Sequence, residues 1–204
     1  KLASLVGSPE HAGRQRDAGV DLIGAQGTEA GGHTGTIATM VLTPQIVDLV
    51  APIPVLAAGG IATGRQMAAA MALGAAGVWC GSVWLCTAQS DAPPEVKRKI
   101  LAARSQDTVV SRSYSGKPSR VLRSGWTDAW AAAGAPDPLM MPLQSLLTKE
   151  AMARVTRANA EALASYPAGQ VIGQMSSETS VRQIFHEMLA EFADTMDRLH
   201  RVAG

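Results

Sequence analysis

Gln26-Gly27-Thr28-Glu29-Ala30-Gly31-Gly32-His33-Thr34-Gly35 is the stretch around which the rest of the chain is read. An apolar run, Val20–Ala25, feeds it and is too short and too β-branched at its ends for a helix. Four glycines, one acidic side chain and one histidine then follow within ten residues. Glycine at that density lets backbone amides approach a ligand closely and lets the chain turn where a Cβ would forbid it. A histidine in such a loop can stand at the mouth of a pocket and titrate near neutrality. The plain alternative is a solvated histidine in a glycine-rich connection.

Working outward, short strands alternate with short helices. Lys1–Val6 reads as a strand, and Pro9–Ala18 as a helix stopped by Gly19. Asp21–Ala25 is the second strand. Thr43 as N-cap, with Pro44 at the first helical position, starts a helix that runs to about Val50. Ile53–Ala58 is the third strand, followed by the Gly59-Gly60-Ile61 turn and a helix over Gly64–Leu73 that Gly74 closes. Gly77–Cys80 is the fourth strand, with Gly81-Ser82 after it. This alternation means parallel βαβ units and an α/β fold. The near-continuous apolar strands predict a sheet covered on both faces.

Two architectures fit, an open doubly wound sheet and half of a (β/α)8 barrel. A dinucleotide-type sheet should carry GxGxxG after its first strand, and no such match is present. A barrel places a phosphate site in the loops after its last two strands. Gly59-Gly60 and Gly81-Ser82 are glycine turns after consecutive strands, which makes the visible strands five to eight of a TIM barrel. Residues 1–105 are then the C-terminal half of the barrel, and residues 106–204 a mostly helical extension packing on it. The chain opens directly on a strand without an initiator methionine, so it reads as a fragment or processed form. Its outer strands would present unpaired edges for a missing N-terminal half, or a second copy, to close.

The case for a phosphate rests on Gly59-Gly60-Ile61-Ala62-Thr63-Gly64, where free amides and the positive end of a helix dipole face one point. Gly81 and Ser82 would add an amide and a hydroxyl. No Lys or Mg²⁺-binding Ser/Thr follows in P-loop spacing, which argues against a nucleoside triphosphate. A monophosphate, as in FMN or a sugar phosphate, needs only this cradle.

Composition narrows the classes further. The 204 residues suffice for a buried core, and the net charge of +1 gives no footprint for nucleic acid. Cys80 and Cys86 lack CxxC spacing, so neither a zinc site nor a disulfide framework is indicated, and a reducing cytoplasm fits. No uninterrupted apolar stretch of about 18 residues and no basic-then-apolar leader is present, so no membrane partner is expected.

The extension is less regular. Pro94–Arg104 is an amphipathic helix and Thr108–Tyr114 an extended segment. Ser115–Arg123 reads as a basic turn segment, in which Arg120 and Arg123 could reach an anion or serve ordinary surface roles. Trp126 and Trp130 are expected to pack against the barrel. Ala135–Pro142 is a loop, Leu143–Leu163 largely helical, Pro167–Gly173 a returning loop and Ser180–Leu199 a terminal helix.

Ala25–Gly35, Ala57-Ala-Gly-Gly-Ile-Ala-Thr-Gly64 and Gly74-Ala-Ala-Gly-Val-Trp-Cys-Gly-Ser82 together resemble the nitronate monooxygenase family, formerly the 2-nitropropane dioxygenases. The Gln-Gly-x-Glu-Ala-Gly-Gly-His stretch is specific to this superfamily, though flavin-dependent quinone reductases and enoyl-thioester reductases share much of it. The resemblance implies an FMN-containing TIM barrel in which His33 is the catalytic base. It places Gln26 and Gly31 beside the flavin, and Gly59, Gly60, Gly81 and Ser82 at its phosphate. Gln170 lies in a Gly-Gln-x-x-Gly segment that returns near the active site in the family. A bulkier polar residue often stands where this chain has Cys80. Glu29 could orient His33 or be a buried surface charge. The implied activity is oxidation of alkyl nitronates or nitroalkanes to carbonyl compounds and nitrite by dioxygen. The alternatives are an NAD(P)H-dependent flavin reductase of quinones or enoyl thioesters, and a non-catalytic phosphate-binding half-barrel.

Overall fold

The computed structural model describes Lys1–Gly204 throughout. In chain order the elements are β1 (Ala3–Val6), α1 (Pro9–Asp17), β2 (Leu22–Gln26), β3 (Gly32–His33), α2 (Thr39–Val50), β4 (Val55–Ala58), α3 (Gly64–Ala72) and β5 (Gly77–Trp79). They continue with α4 (Pro94–Ala102), β6 (Thr108–Ser111), β7 (Ser119–Leu122), α5 (Gly125–Ala131), α6 (Leu143–Arg157) and α7 (Val181–Ala203). The fold is α/β. No helix is long and apolar enough to cross a membrane.

Local chemistry explains the first half. Ser8 caps α1, its hydroxyl accepting from His11 N, and Pro9 takes the first turn, where no N–H is needed. Thr63 and Gln66 form a capping box at the start of α3. The helix ends at Gly19 and Gly74 have φ of 82° and 93°, the left-handed region that glycine enters without cost to a Cβ.

The four parallel strands lie in the order β1-β2-β4-β5, with no reversal. A doubly wound sheet reverses its order at a switch point, so this sheet is singly wound. Val6, Ile23, Ala25 and Val55 on one face pack with Ala12 of α1 and Leu42, Ile46 and Val50 of α2. By strand alternation the register row Leu5, Gly24, Leu56 and Gly77 faces the other way. There Leu5 is 38% and Trp79 40% exposed, so within this chain the expected cover on the second face is incomplete. The apolar strands are explained by one helix-packed face and one face that walls a cleft.

Beyond β5 the chain returns to this scaffold. β6 and β7 form an antiparallel pair to which β3 adds as a third strand. The α7 helix lies on α3 so closely that a Cβ on Gly64 would fall 2.3 Å from Met188 O and 2.2 Å from Phe192 N. Cys86, Val96, Ile100, Leu122, Ala168 and Ile172 form a separate core cluster.

Several element boundaries differ from the sequence reading, three of them by more than the fraying of an end. α2 begins at Thr39, not after Thr43, and Pro44 lies inside it. Ala38 gives no side-chain cap; the Glu29 carboxylate supplies one from outside, accepting from Thr39 N at 3.0 Å and from its hydroxyl at 3.0 Å. Within Ser115–Arg123, Ser119–Leu122 is not a basic turn but a fully buried strand. The helix expected over Leu143–Leu163 stops at Arg157, with Ala158 at its C-cap. Trp126 lies between Tyr114 and Trp130, at 6.0 Å from each ring.

Candidate active site

The C-terminal ends of β2, β4 and β5 open on one cleft of about 280 Å³. These are the strand ends that carry ligand sites in parallel sheets. Gln26, Gly31, Gly59, Gly60, Gly81 and Ser82 all line it, although they come from three separate loops. Pro167 and Gly169 close one side from the far end of the chain. His33 stands next door, in a hollow it shares with His11, Arg14 and Lys117. Leu5 and Gln26 line both spaces and so form the wall between them.

The amides of Gly59–Gly64 and Gly81–Ser82 divide into two groups, which corrects the expectation that the whole Gly59–Gly64 run is free for a phosphate. At the start of α3 they are already taken. Ala62 and Thr63 donate to Gln66 Oε1 at 2.8 and 3.1 Å, and Gly64 donates to Glu191 Oε2 at 2.8 Å. By contrast, the N–H groups of Gly60, Ile61, Gly81 and Ser82 donate to no acceptor within the chain. All four residues line the cleft. Ser82 Oγ accepts from Gly169 N at 2.7 Å, which leaves its own proton to donate. Gly60 has φ of 73°, and a Cβ on Gly81 would meet nothing within 4 Å. Unpaired amides around an open concavity are the donor set that an anion requires.

His33 is held by residues that are distant in sequence. β3 pairs antiparallel with β7, setting His33 opposite Ser119 and Gly32 opposite Arg120. The ring is exposed, with Nε2 2.7 Å from Ser115 Oγ. Both carboxylate oxygens of Glu29 go to Thr39 at the start of α2, where a negative charge suits the helix dipole. Glu29 therefore does not orient His33.

The model of the family described as Nitronate monooxygenase matches residues 2–191. This chain belongs to that family. It is 56% identical over 204 residues to the Mycobacterium tuberculosis protein Rv1533, covering 97% of this chain and 54% of that protein. Among solved structures, FabK from Thermotoga maritima superposes with a TM-score of 0.84 at 35% identity, over 99% of this chain and 64% of FabK. The nitroalkane oxidase of Streptomyces ansochromogenes superposes at 0.86 and 30% identity, over 98% of this chain and 59% of the other. The chain thus spans about half the length of the curated relative and about three-fifths of each solved one.

Of the remaining candidates of this nitronate monooxygenase family member, Cys80 lines the cleft and Arg120, Arg123 and Gln170 do not. Arg120 is buried; its Nε donates to the Thr28 carbonyl at 2.8 Å and Nη1 to Thr108 Oγ1 at 3.1 Å. Burial draws its guanidinium pKa down, against the opposing pull of Glu29. It fastens the glycine loop to β6, so the surface reading of Arg120 is corrected. Arg123 is exposed and pairs with Asp128 at 2.8 Å. Gln170 donates its backbone N–H to the Glu29 carbonyl at 2.9 Å, while its neighbours Gly169 and Val171, not Gln170, line the cleft. Cys80 lines the cleft as a thiol, since burial pushes its pKa up to about 11. Sequence reading missed Ser115, Lys117 and Gly169. Only the returning glycine at 169 carried a signal, because the partners of the other two depend on a sheet pairing that no local pattern shows.

Proposed function

We propose that residues 1–105 are strands five to eight of an FMN-binding (β/α)8 barrel, with residues 106–204 packing on them. On this reading the protein oxidises alkyl nitronates or nitroalkanes to carbonyl compounds and nitrite with dioxygen. The observation that carries this is the ring of unpaired amides at Gly60, Ile61, Gly81 and Ser82, with His33 one wall away. The residues present fit a phosphate-bearing flavin: four free N–H donors, one hydroxyl proton on Ser82, and an open face at Gly81 that a side chain would fill. Single winding without a switch point supports the barrel, as do the superpositions on FabK and on the nitroalkane oxidase.

Each residue then has a defined part. The amides of Gly60, Ile61, Gly81 and Ser82 hold the phosphate, with Gly59 setting the turn that presents the first pair. Gln26 and Gly31 line the space beside the flavin ring. His33 takes the α-proton of a neutral nitroalkane: the C–H bond breaks, its electron pair forms the C=N bond of the nitronate, and the proton goes to the imidazole. General-base catalysis of this kind is worth roughly 10²–10⁴-fold. When bound, FMN supplies the one-electron chemistry that joins nitronate oxidation to dioxygen.

The likeness to FabK supports a second reading, an NAD(P)H-dependent flavin reductase of quinones or enoyl thioesters. One experiment separates them. Flavin absorbance of the purified protein is recorded, and oxygen uptake on propyl nitronate is compared with NADH oxidation in the presence of a quinone. Rapid oxygen uptake with little NADH oxidation is expected; the reverse result would overturn the monooxygenase reading. The same reading expects a cytoplasmic protein.

A further inference from the structure

The Ser115 hydroxyl meets His33 across 82 residues of sequence, at 2.7 Å from Nε2. The hairpin of β6 and β7 fixes both partners. β7 holds the His33 backbone through its pairing with β3, and the turn between β6 and β7 carries Ser115. That turn is clamped from behind by α6 and the loop before it. Gln144, fully buried, donates to the Ser113 carbonyl at 2.8 Å and accepts from Leu139 N at 2.9 Å. Thr148 Oγ1 shares its proton between the Tyr114 carbonyl at 3.1 Å and the Gln144 carbonyl at 3.0 Å, and Arg112 Nε donates to the Gly116 carbonyl at 2.9 Å. Gly116, with φ of 84°, presses on residues 139–141, where a Cβ would fall 2.1 Å from the Leu139 carbonyl oxygen. A half-buried turn held at this many points keeps its serine in one place.

The geometry points to Ser115 as the positioning residue of His33: its oxygen accepts the proton carried on Nε2 and so leaves Nδ1 free to take the substrate proton. The surroundings of Ser115 suit this direction. Its oxygen receives Lys117 N–H at 3.3 Å and lies 3.4 Å from the Lys117 carbonyl. A carbonyl can only accept, so it offers the hydroxyl proton an acceptor away from His33 while a lone pair meets the Nε2 proton. A neutral imidazole has one donor and one acceptor nitrogen, and the bond made by one decides the role of the other. The proton removed from the substrate then forms the Nδ1–H bond of an imidazolium whose other N–H still points at Ser115.

This inference rests on His33 acting as the base, and its test keeps the two apart. ¹⁵N NMR of the flavin-loaded protein, labelled at histidine, reads the tautomer of His33 directly. The wild-type protein is expected to carry its proton on Nε2, and Ser115→Ala to give a mixture. Ser115→Ala should lose about five- to tenfold in kcat/KM on nitroethane, the scale of one hydrogen bond, and less on pre-ionised propyl nitronate. Ser115→Thr, which keeps the hydroxyl, should restore both tautomer and rate. A wild-type proton on Nδ1, or an unchanged tautomer in Ser115→Ala, would overturn the assignment. A shifted tautomer with equal losses on both substrates would support the positioning role and overturn the base.

Discussion

A Cβ on Gly31 would fall 2.7–2.8 Å from the backbone of Ala168, whereas one on Gly81 would meet nothing within 4 Å. Both glycines line the same cleft, and both belong to glycine-rich turns that follow parallel strands. Gly31 lets two stretches of the chain touch, so that the segment at Ala168 can reach the histidine loop. Gly81 keeps a space open beside amides that no protein group satisfies, whereas Gly60 supplies the left-handed φ of 73° its turn needs. A glycine-rich sequence therefore has two uses here, close approach of chain to chain and, on the function proposed above, close approach of chain to ligand. Only the second marks a binding site.

That contrast can be tested from both sides. The largest effect is expected at the reactive end of the packed loop. His33→Ala should retain flavin and lose about 10²–10⁴-fold in turnover of neutral nitroalkane, with a smaller loss on nitronate that has already given up its proton. Steady-state oxygen uptake on the two substrates measures this, and equal losses would make His33 a binding residue.

Next comes Gly31→Ala, which forces a methyl into the Ala168 backbone and should cost about 2–3 kcal/mol of stability by overpacking. Denaturant unfolding reads the change. A cost under about 0.5 kcal/mol would mean that the two segments part easily and that the packed-loop description is wrong.

Gly81→Asp should do the opposite. With φ ordinary and space empty around it, stability should stay within about 0.5 kcal/mol of the parent. The carboxylate set against the phosphate should weaken flavin retention by about tenfold or more. Flavin absorbance per protein after desalting gives the answer, and normal flavin content would remove the phosphate from this turn.

The smallest effect concerns the helix end behind the cleft. Glu191 loses some solvation in the fold, but hydrogen bonds from Arg65 and the Gly64 amide outweigh that and hold its carboxyl below the usual range. A depressed folded pKa gives stability that is present above the unfolded value and lost as pH falls through the folded one. Glu191 is close to solvent, so screening limits the contribution to about 0.5 kcal/mol. Thermal melts of the parent and Glu191→Gln between neutral and acidic pH should converge as the carboxylate range is crossed. Parallel curves would detach Glu191 from the start of α3.

The sequence alone determined whatever depends on neighbours within a turn or two. Gly19 and Gly74 as helix stops, the alternation of strands and helices, and the glycine turns at 59–60 and 81–82 all follow from local backbone chemistry. The family motifs lie in these same local stretches, so the family was legible there too. Tertiary structure alone decided what depends on distant partners. Glu29 begins α2 at Thr39, where the local pattern pointed to Thr43, because a carboxylate ten residues away caps it. Arg120 looked like a surface cation, and burial in β7 with a bond to the Thr28 carbonyl 92 residues away made it a fastener of the glycine loop. His33 acquired its strand, its hydroxyl partner and its place beside the cleft from residues 115 and 119. Side-chain pattern encodes which residues are apolar or polar, but a polar group buried by folding takes whichever partner the packed chain brings within hydrogen-bond reach.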